Sequence, residues 1–208
     1  MARYTGPSCK LCRREGKKLF LKGDRCLSDK CAVSRRATVP GQHGAGRKTV
    51  KEYGMQLREK QTARRYYGVQ EKQFKKYYVK ADKKSGIAGE NLLSILESRY
   101  DNAVYRMGLA SSRKEARQLV RHGHFTLNGK KADIPSIILK VGDVIELREK
   151  SRSSEKFKAL IEDMANVTAP KWLDLNKDAV SAKVVAMPAR DDVDFDFNEQ
   201  LIIELYSK

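Results

Sequence analysis

Four cysteines near the start of the chain have the residue type and spacing of a metal site. They are the only cysteines in the 208 residues and form two short pairs, Cys9-x-x-Cys12 and Cys26-x(4)-Cys31. Tetrahedral zinc takes four thiolates, which short pairs separated by a loop commonly supply. The spacing predicts one structural zinc ion held by all four cysteines, with no open coordination position. An iron–sulfur cluster uses the same ligands and is an alternative, as are reduced unbound thiols or disulfides.

Positive charge is concentrated in the same part of the chain. Residues 1–80 contain 22 Lys/Arg and 6 Asp/Glu, whereas residues 81–208 contain 21 and 20. A field of this sign attracts phosphate chains, and the release of their counterions supplies affinity that does not depend on base sequence. Solubility alone would not require the charge to gather in one third of the chain. The distribution therefore predicts a nucleic-acid partner.

The candidate RNA contacts are cations and histidines in two groups. The N-terminal group consists of Arg3, Arg13, Arg14, Lys22, Arg35, Arg36, His43, Arg47, Lys48, Arg58, Arg64, Arg65, Lys72 and Lys75. The middle group consists of Arg113, Lys114, Arg117, Arg121, His122 and Lys130. Arg113, Arg117 and Arg121 are spaced four residues apart, so a helix would place them in one stripe. We expect a basic ledge suited to the phosphates of a folded RNA, with an ordinary solvated helix face as the alternative.

The predicted secondary structure that would position the N-terminal group changes from irregular to helical near residue 49. The Gly and Pro residues of residues 1–48 predict irregular structure that depends on the metal. A helix is predicted over residues 49–67, with Thr49 as its cap, and a shorter one over residues 70–80. Apolar residues recur at helical spacing over residues 90–107, which predicts helix there with a break near Tyr100. This part of the chain is therefore predicted to be mostly helical.

The middle of the chain predicts a compact module. Ser112 and Glu115 have the spacing of a capping box, which would open a helix running to about His122. Asn128-Gly129 predicts a tight hairpin turn, because both residues tolerate positive φ. A further strand is predicted at residues 144–148. The module thus reads as helix, turn, helix, hairpin and strand.

The C-terminal segment has a different charge. Residues 161–208 contain 5 Lys/Arg and 10 Asp/Glu, so this segment is expected to close the fold or to face a protein instead of phosphates. Short strands are predicted at residues 184–185 and 201–203. The single tryptophan, Trp172, is predicted to be a packing anchor.

Several functional classes lack support in the sequence. No apolar run approaches the roughly 20 residues that cross a bilayer. The first residues lack an apolar signal core, so we expect a cytoplasmic protein. There is no phosphate-binding P-loop, dinucleotide fingerprint or catalytic triad pattern, so no enzyme is predicted. Two rival hypotheses are an RNA-modifying enzyme carrying the same module and a zinc-finger regulator of DNA.

Several blocks of the sequence resemble the bacterial small-subunit ribosomal protein S-four family. The blocks lie in the same order along nearly the whole chain, and include Met1-Ala2-Arg3-Tyr4-Thr5-Gly6-Pro7-Ser8, Pro40-Gly41-Gln42-His43-Gly44, Glu52-Tyr53-Gly54-Met55-Gln56-Leu57-Arg58, Ala116-Arg117-Gln118-Leu119-Val120-Arg121-His122-Gly123-His124 and Asn198-Glu199-Gln200-Leu201-Ile202-Ile203-Glu204. The acidic stretch between about 174 and 197 departs most from that pattern. Many members lack the cysteines, so the metal site would belong to a subgroup.

The resemblance implies an α+β protein without enzymatic activity. A basic arm, residues 1–48, would precede a helical domain made of residues 49–97 and 161–208. Residues 98–160 would be an inserted RNA-binding module of two helices on a short antiparallel sheet. The implied function is to bind the 5′ domain of 16S ribosomal RNA, nucleate subunit assembly and influence decoding accuracy beside the incoming mRNA. The implied partners are 16S ribosomal RNA, neighbouring small-subunit proteins and mRNA.

Overall fold

The computed structural model describes residues 3–46, 49–164 and 167–207. The helices are α1 (Ser8–Glu15), α2 (Ala32–Arg35), α3 (Glu52–Tyr66), α4 (Glu71–Asp82), α5 (Ala88–Glu97), α6 (Tyr100–Arg106), α7 (Arg113–Arg121), α8 (Glu149–Arg152), α9 (Glu155–Met164) and α10 (Glu199–Ser207). The strands are β1 (Phe125–Leu127), β2 (Lys130–Lys131), β3 (Val144–Leu147), β4 (Leu173–Asn176) and β5 (Ser181–Val184). None of the described helices combines the length and apolarity needed to cross a membrane.

The chain forms two compact units. One comprises Met1–Leu92 and Phe195–Lys208, and the other comprises Leu93–Asp194. The resemblance implied that all of residues 161–208 complete the helical domain, whereas residues 161–194 belong to the unit formed by the middle of the chain. The physical reason is strand pairing, because β5 lies beside β3 and carries β4 with it.

The N-terminal arm, defined here as residues 3–46, contains more regular structure than its Gly and Pro content predicted. It includes α1, a 3₁₀ turn at Gly23–Cys26 and α2. Pro7 immediately precedes α1, and Gly16 ends it with a φ of 68°, which suits a left-handed residue after a helix. The predicted cap of the next helix was wrong, because α3 follows Lys51 and no side chain caps it.

The first unit is built around α3, α4 and α10. Phe74 and Ile202 are fully buried, and the Phe197 ring lies 5.4 Å from the Tyr66 ring. The strand predicted at residues 201–203 was wrong, since these residues lie in α10, which packs against α3. Asn198 accepts a hydrogen bond from the Leu201 N–H at 3.3 Å, which satisfies a donor at the start of the helix.

The second unit contains a five-stranded antiparallel sheet in the order β2-β1-β3-β5-β4. Ile145 of β3 lies opposite Ala182 of β5, and both belong to a buried cluster that includes residues of α6 and α7. Helices packed on a small antiparallel sheet are therefore confirmed, although two more strands complete the sheet. Trp172 is 1% exposed within this cluster, as expected of a packing anchor.

The predicted helix cap and hairpin turn of the middle module are confirmed, although the Glu115 carboxylate accepts from the Ser111 N–H at 2.9 Å, one residue before the position that a capping box requires. The Ser112 hydroxyl caps α7 by accepting a hydrogen bond from the Glu115 N–H at 3.3 Å. Asn128 and Gly129 have φ values of 50° and 75°, as a tight hairpin turn requires. The predicted break near Tyr100 separates α5 from α6.

Candidate nucleic-acid interface

A buried carboxylate fixes the N-terminal arm to α3. Glu15, at the end of α1, has a fully buried side chain that accepts hydrogen bonds from Arg58 at 3.2 Å and from Arg65. Burial raises the pKa of Glu15, and the two guanidinium groups oppose that rise. The arm is therefore held in one position on the helical unit, and these two predicted RNA contacts already have an internal carboxylate partner.

Most of the predicted cations of the first unit lie on its surface. The exposed residues are Arg3, Arg14, Lys22, Arg35, Arg36, His43, Lys72 and Lys75. Arg13 is half-buried and donates from Nε to the Thr38 carbonyl at 3.0 Å. Arg64 is half-buried and donates to the Gln61 side chain at 2.8 Å. Arg47 and Lys48 lie outside the described residues.

Lys10 was missed by the sequence reasoning. It is exposed on α1, three residues before Arg13, and this spacing places the two cations on one side of the helix. The same spacing could have been read from the sequence. α1 therefore contributes one more exposed cation to the surface of the arm than was predicted.

The four cysteines are gathered in the arm. Cys12, Cys26 and Cys31 are buried and Cys9 is half-buried. The Lys22 backbone N–H bonds to the Cys26 sulfur at 3.4 Å. Burial acts to raise the pKa of Cys31, but the backbone amides of Ser34 and Val33 outweigh burial and lower this pKa overall. Burial raises the pKa of Cys12, and charge on each of the other three thiols would raise it further.

Two of the four α7 residues predicted to contact RNA are turned inward. Arg113 and Arg117 are 9% and 8% exposed. Arg113 donates to Asn102 at 2.7 Å and lies over the Tyr105 ring, while Arg117 lies 3.5 Å from the Asp101 carboxylate. The expected stripe of three exposed arginines does not form, because the first two positions face α6. Their contact with RNA remains an untested prediction.

The buried carboxylate of Asp101 organises this network. Arg99, which is 1% exposed, forms a two-pronged ion pair with Asp101, with distances of 2.9 and 2.7 Å. Arg99 also donates to the Pro135 carbonyl at 3.4 Å. The network thereby joins α6, α7 and the segment before β3 inside the second unit.

Three of the four remaining predicted contacts of the module are exposed. Arg121 and His122 are exposed where α7 ends, and Lys130 is exposed at the hairpin tip. Lys114 is half-buried near the start of the helix. The basic ledge thus has a smaller set of exposed cations than predicted, at the end of α7 and on the hairpin.

Part of the acidic C-terminal segment is used inside the second unit. Arg106 is buried and forms ion pairs with Glu97 and Asp194. Burial lowers the pKa of the guanidinium, but the two carboxylates outweigh burial and raise it overall. Asp194 therefore helps to close this unit, in agreement with the expectation for the acidic stretch.

Comparison with known proteins gives matches along the whole chain. Residues 3–97 match the family described as ribosomal protein S4/S9 N-terminal domain, and residues 99–145 match the S4 domain. The small ribosomal subunit protein uS4 of Clostridioides difficile (strain 630) is 66% identical over 208 residues, which is 100% of both chains. Proteins of the same name from Acetivibrio thermocellus and Pelobacter propionicus are 64% and 61% identical, also over the full length of both chains.

Proposed function

This chain belongs to the small ribosomal subunit protein uS4 family, and on that premise we propose that it binds ribosomal RNA as a structural component of the small subunit. Its relatives are named as ribosomal proteins, so the chain is not an enzyme and lies in the cytoplasmic ribosome. The observation that carries the proposal is the exposed cationic surface of the N-terminal arm, which buried Glu15 anchors to α3.

The proposed mode of binding is recognition of RNA shape and charge. Double-helical RNA is contacted mainly through phosphates and 2′-hydroxyls, because its deep major groove excludes side chains. A surface whose cations are fixed by an anchored arm pays less ordering entropy than a flexible tail would. The arm and α4 would supply the first electrostatic contact, and Arg121, His122 and Lys130 would contact RNA from the second unit.

The finer parts of the proposal concern the place of binding. We propose the 5′ domain of 16S ribosomal RNA as the target and early subunit assembly as the process it promotes. We also propose an influence on decoding accuracy, with mRNA and neighbouring small-subunit proteins as further partners. These parts rest on the family and on the separation between a basic N-terminal region and an acidic C-terminal segment.

We also propose that the arm holds one structural zinc ion through Cys9, Cys12, Cys26 and Cys31. Within residues 3–46, 49–164 and 167–207, no group of three or more His, Cys, Asp or Glu side chains is placed to hold a metal ion. The donor chemistry nevertheless fits, because four thiols lie in one arm, three of them are buried, and the Cys26 sulfur accepts a backbone N–H bond, which favours a thiolate ligand. A bound ion would cross-link α1 to the segment from Gly23 to α2, and an iron–sulfur cluster is the alternative occupant.

RNA binding should weaken steeply as salt is raised. For a 5′-domain fragment of 16S ribosomal RNA, we expect a loss of roughly 10³–10⁵ in affinity between 50 and 200 mM salt if about six to ten phosphates are contacted. Arg121→Gln should lower the salt slope by about one, since one phosphate contact is lost. Filter binding or fluorescence anisotropy across a salt series measures both quantities.

The matched control is Lys171→Gln, which removes the same charge from an exposed position outside the predicted interface. Its salt slope should equal that of the unaltered protein. A flat salt response of the unaltered protein would contradict the electrostatic account. Equal salt slopes for the two variants would show that Arg121 does not contact the RNA.

A further inference from the structure

A cleft in the N-terminal arm has the size and lining of a small-ligand site. It lies between α1 and the loop of residues 38–45 and has a volume of about 400 Å³. Ligand sites in proteins span roughly 300–1,000 Å³, so this cleft suits one small ligand better than an RNA double helix. Three cations line it, Lys10, Arg13 and Arg36. The cleft is thus a defined feature within the otherwise open basic surface.

The loop that forms one side of the cleft is tightly closed on itself. Gly41 has a φ of 116°, a conformation that side-chain-bearing residues rarely adopt. A Cβ atom on Gly44 would lie 1.8 Å from the Val39 carbonyl oxygen, so the backbone approaches itself as closely as glycine permits. The Gly44 N–H donates to the Gly41 carbonyl at 3.2 Å. The wall of the cleft is therefore shaped by close packing of the loop backbone.

The lining combines the chemistry that a nucleotide requires. Arg13 is held by the Thr38 carbonyl at 3.0 Å, which fixes its guanidinium group at the cleft. Val39, Pro40 and Ala45 add aliphatic surface against which a flat base can lie, and Gln42 adds an amide that can both donate and accept. A guanidinium group binds phosphate through several N–H donors and also stacks on bases. No carboxylate lines this cleft among the described residues, so an anion meets no repulsion there.

We propose that this cleft accepts a single unstacked nucleotide of the bound RNA, with the phosphate on the cations and the base against the aliphatic lining. The proposal rests on the proposed RNA-binding function and adds a specific contact to it. Sequence-specific RNA recognition uses bases splayed out of loops, bulges and junctions, whereas duplex RNA is read by shape. The cleft would thus supply selectivity that the open cationic surface cannot supply.

Filling the cleft without changing charge separates this contact from general electrostatics. Ala45→Phe places a ring where the base would lie, and Ala37→Phe places the same ring at an exposed position of the same arm that does not line the cleft. For a 5′-domain fragment, we expect Ala45→Phe to weaken binding by about tenfold, because the ring occupies the space of the base, and Ala37→Phe to leave it within about twofold. Circular dichroism of both variants verifies that the helices remain.

A second pair of variants tests the cations. Arg36→Gln removes a lining charge, and Arg35→Gln removes the neighbouring exposed charge that does not line the cleft. We expect Arg36→Gln to weaken binding at least about fivefold more than Arg35→Gln, because charge-assisted contacts to a fixed phosphate exceed those of a solvated surface cation. Ultraviolet cross-linking should also join one nucleotide of the fragment to a peptide from residues 8–45, the range that contains every residue lining the cleft.

The proposal is overturned if the unaltered protein binds the fragment tightly while the two phenylalanine variants, and likewise the two glutamine variants, bind equally well. It is also overturned if the cross-linked nucleotide is attached only to peptides outside residues 8–45. Failure of the proposed function looks different, because the unaltered protein itself would then fail to distinguish ribosomal RNA from competitor RNA.

Discussion

Asp101→Ala is expected to lower the free energy of unfolding of the second unit by about 3–5 kcal/mol. Asp101 is 4% exposed and is the carboxylate shared by Arg99 and Arg117, which are also buried. Its removal leaves two guanidinium charges in a poorly solvated interior without the carboxylate that balances them. Trp172 is the only tryptophan and is buried in this unit, so its fluorescence during urea unfolding follows the relevant transition.

Asp133→Ala is the control for this variant. Asp133 is exposed in the same unit, so its removal should change the unfolding free energy by no more than about 0.5 kcal/mol. Equal midpoints for the two variants would contradict the account of the buried network.

Arg117→Gln should likewise lower the unfolding free energy of the second unit. Arg121→Gln should instead lower RNA affinity and leave the unfolding midpoint unchanged.

Removal of the proposed metal is expected to loosen the N-terminal arm and leave the second unit intact. Structural zinc contributes an apparent ~10–16 kcal/mol in zinc-finger peptides, so its loss should open a segment that it cross-links. We expect a chelator, or Cys26→Ser, to raise the rate of tryptic cleavage within residues 3–46 by at least about tenfold, equivalent to about 1.4 kcal/mol of local stability. The unfolding midpoint followed by Trp172 should not change.

Two observations serve as controls for the metal. Chelator should have no additional effect on Cys26→Ser, because that variant already lacks a ligand. Elemental analysis of the protein purified without added metal should give about one zinc atom per chain, and iron with sulfide would identify the alternative cluster. Unchanged protease resistance of the arm after complete metal removal would contradict a structural role for the cysteines.

Local signals predicted the elements whose determinants lie within a few residues. The Ser112 cap, the Asn128-Gly129 turn and the break near Tyr100 were all predicted correctly, because each depends on neighbouring backbone groups. The strand predicted at residues 201–203 was wrong because distant residues, not neighbouring ones, determine the structure of this segment. Three apolar residues in a row fit a strand or a helix equally well, and packing against α3 decides between them.

Burial of the α7 arginines could not be predicted from their spacing. The four-residue interval correctly placed Arg113 and Arg117 on one side of a helix, but charge alone suggested that this side faces solvent. The side chains that receive them, Asp101 and Asn102, lie on α6 and reach α7 only through the tertiary fold. Net charge therefore locates an RNA-binding region without identifying which cations are free to contact phosphate.

The cleft of the arm is a second feature that only the tertiary structure displays. Its cations come from two segments separated by more than twenty residues, Lys10 and Arg13 on α1 and Arg36 just after the end of α2. The sequence marked the glycine-containing loop as irregular but gave no sign that it packs beside α1. The same holds for Glu15, whose role in anchoring the arm depends on arginines more than forty residues away.

A competition assay tests the central claim most directly. Labelled 5′-domain fragment of 16S ribosomal RNA would be bound by the full chain at near-physiological salt and challenged with excess bulk transfer RNA. We predict that the complex survives a competitor excess of about 10³, because specific binding exceeds charge-driven binding by at least that factor in comparable nucleic-acid complexes. Loss of the complex at equimolar competitor would contradict a specific ribosomal RNA partner and leave only a general cationic protein.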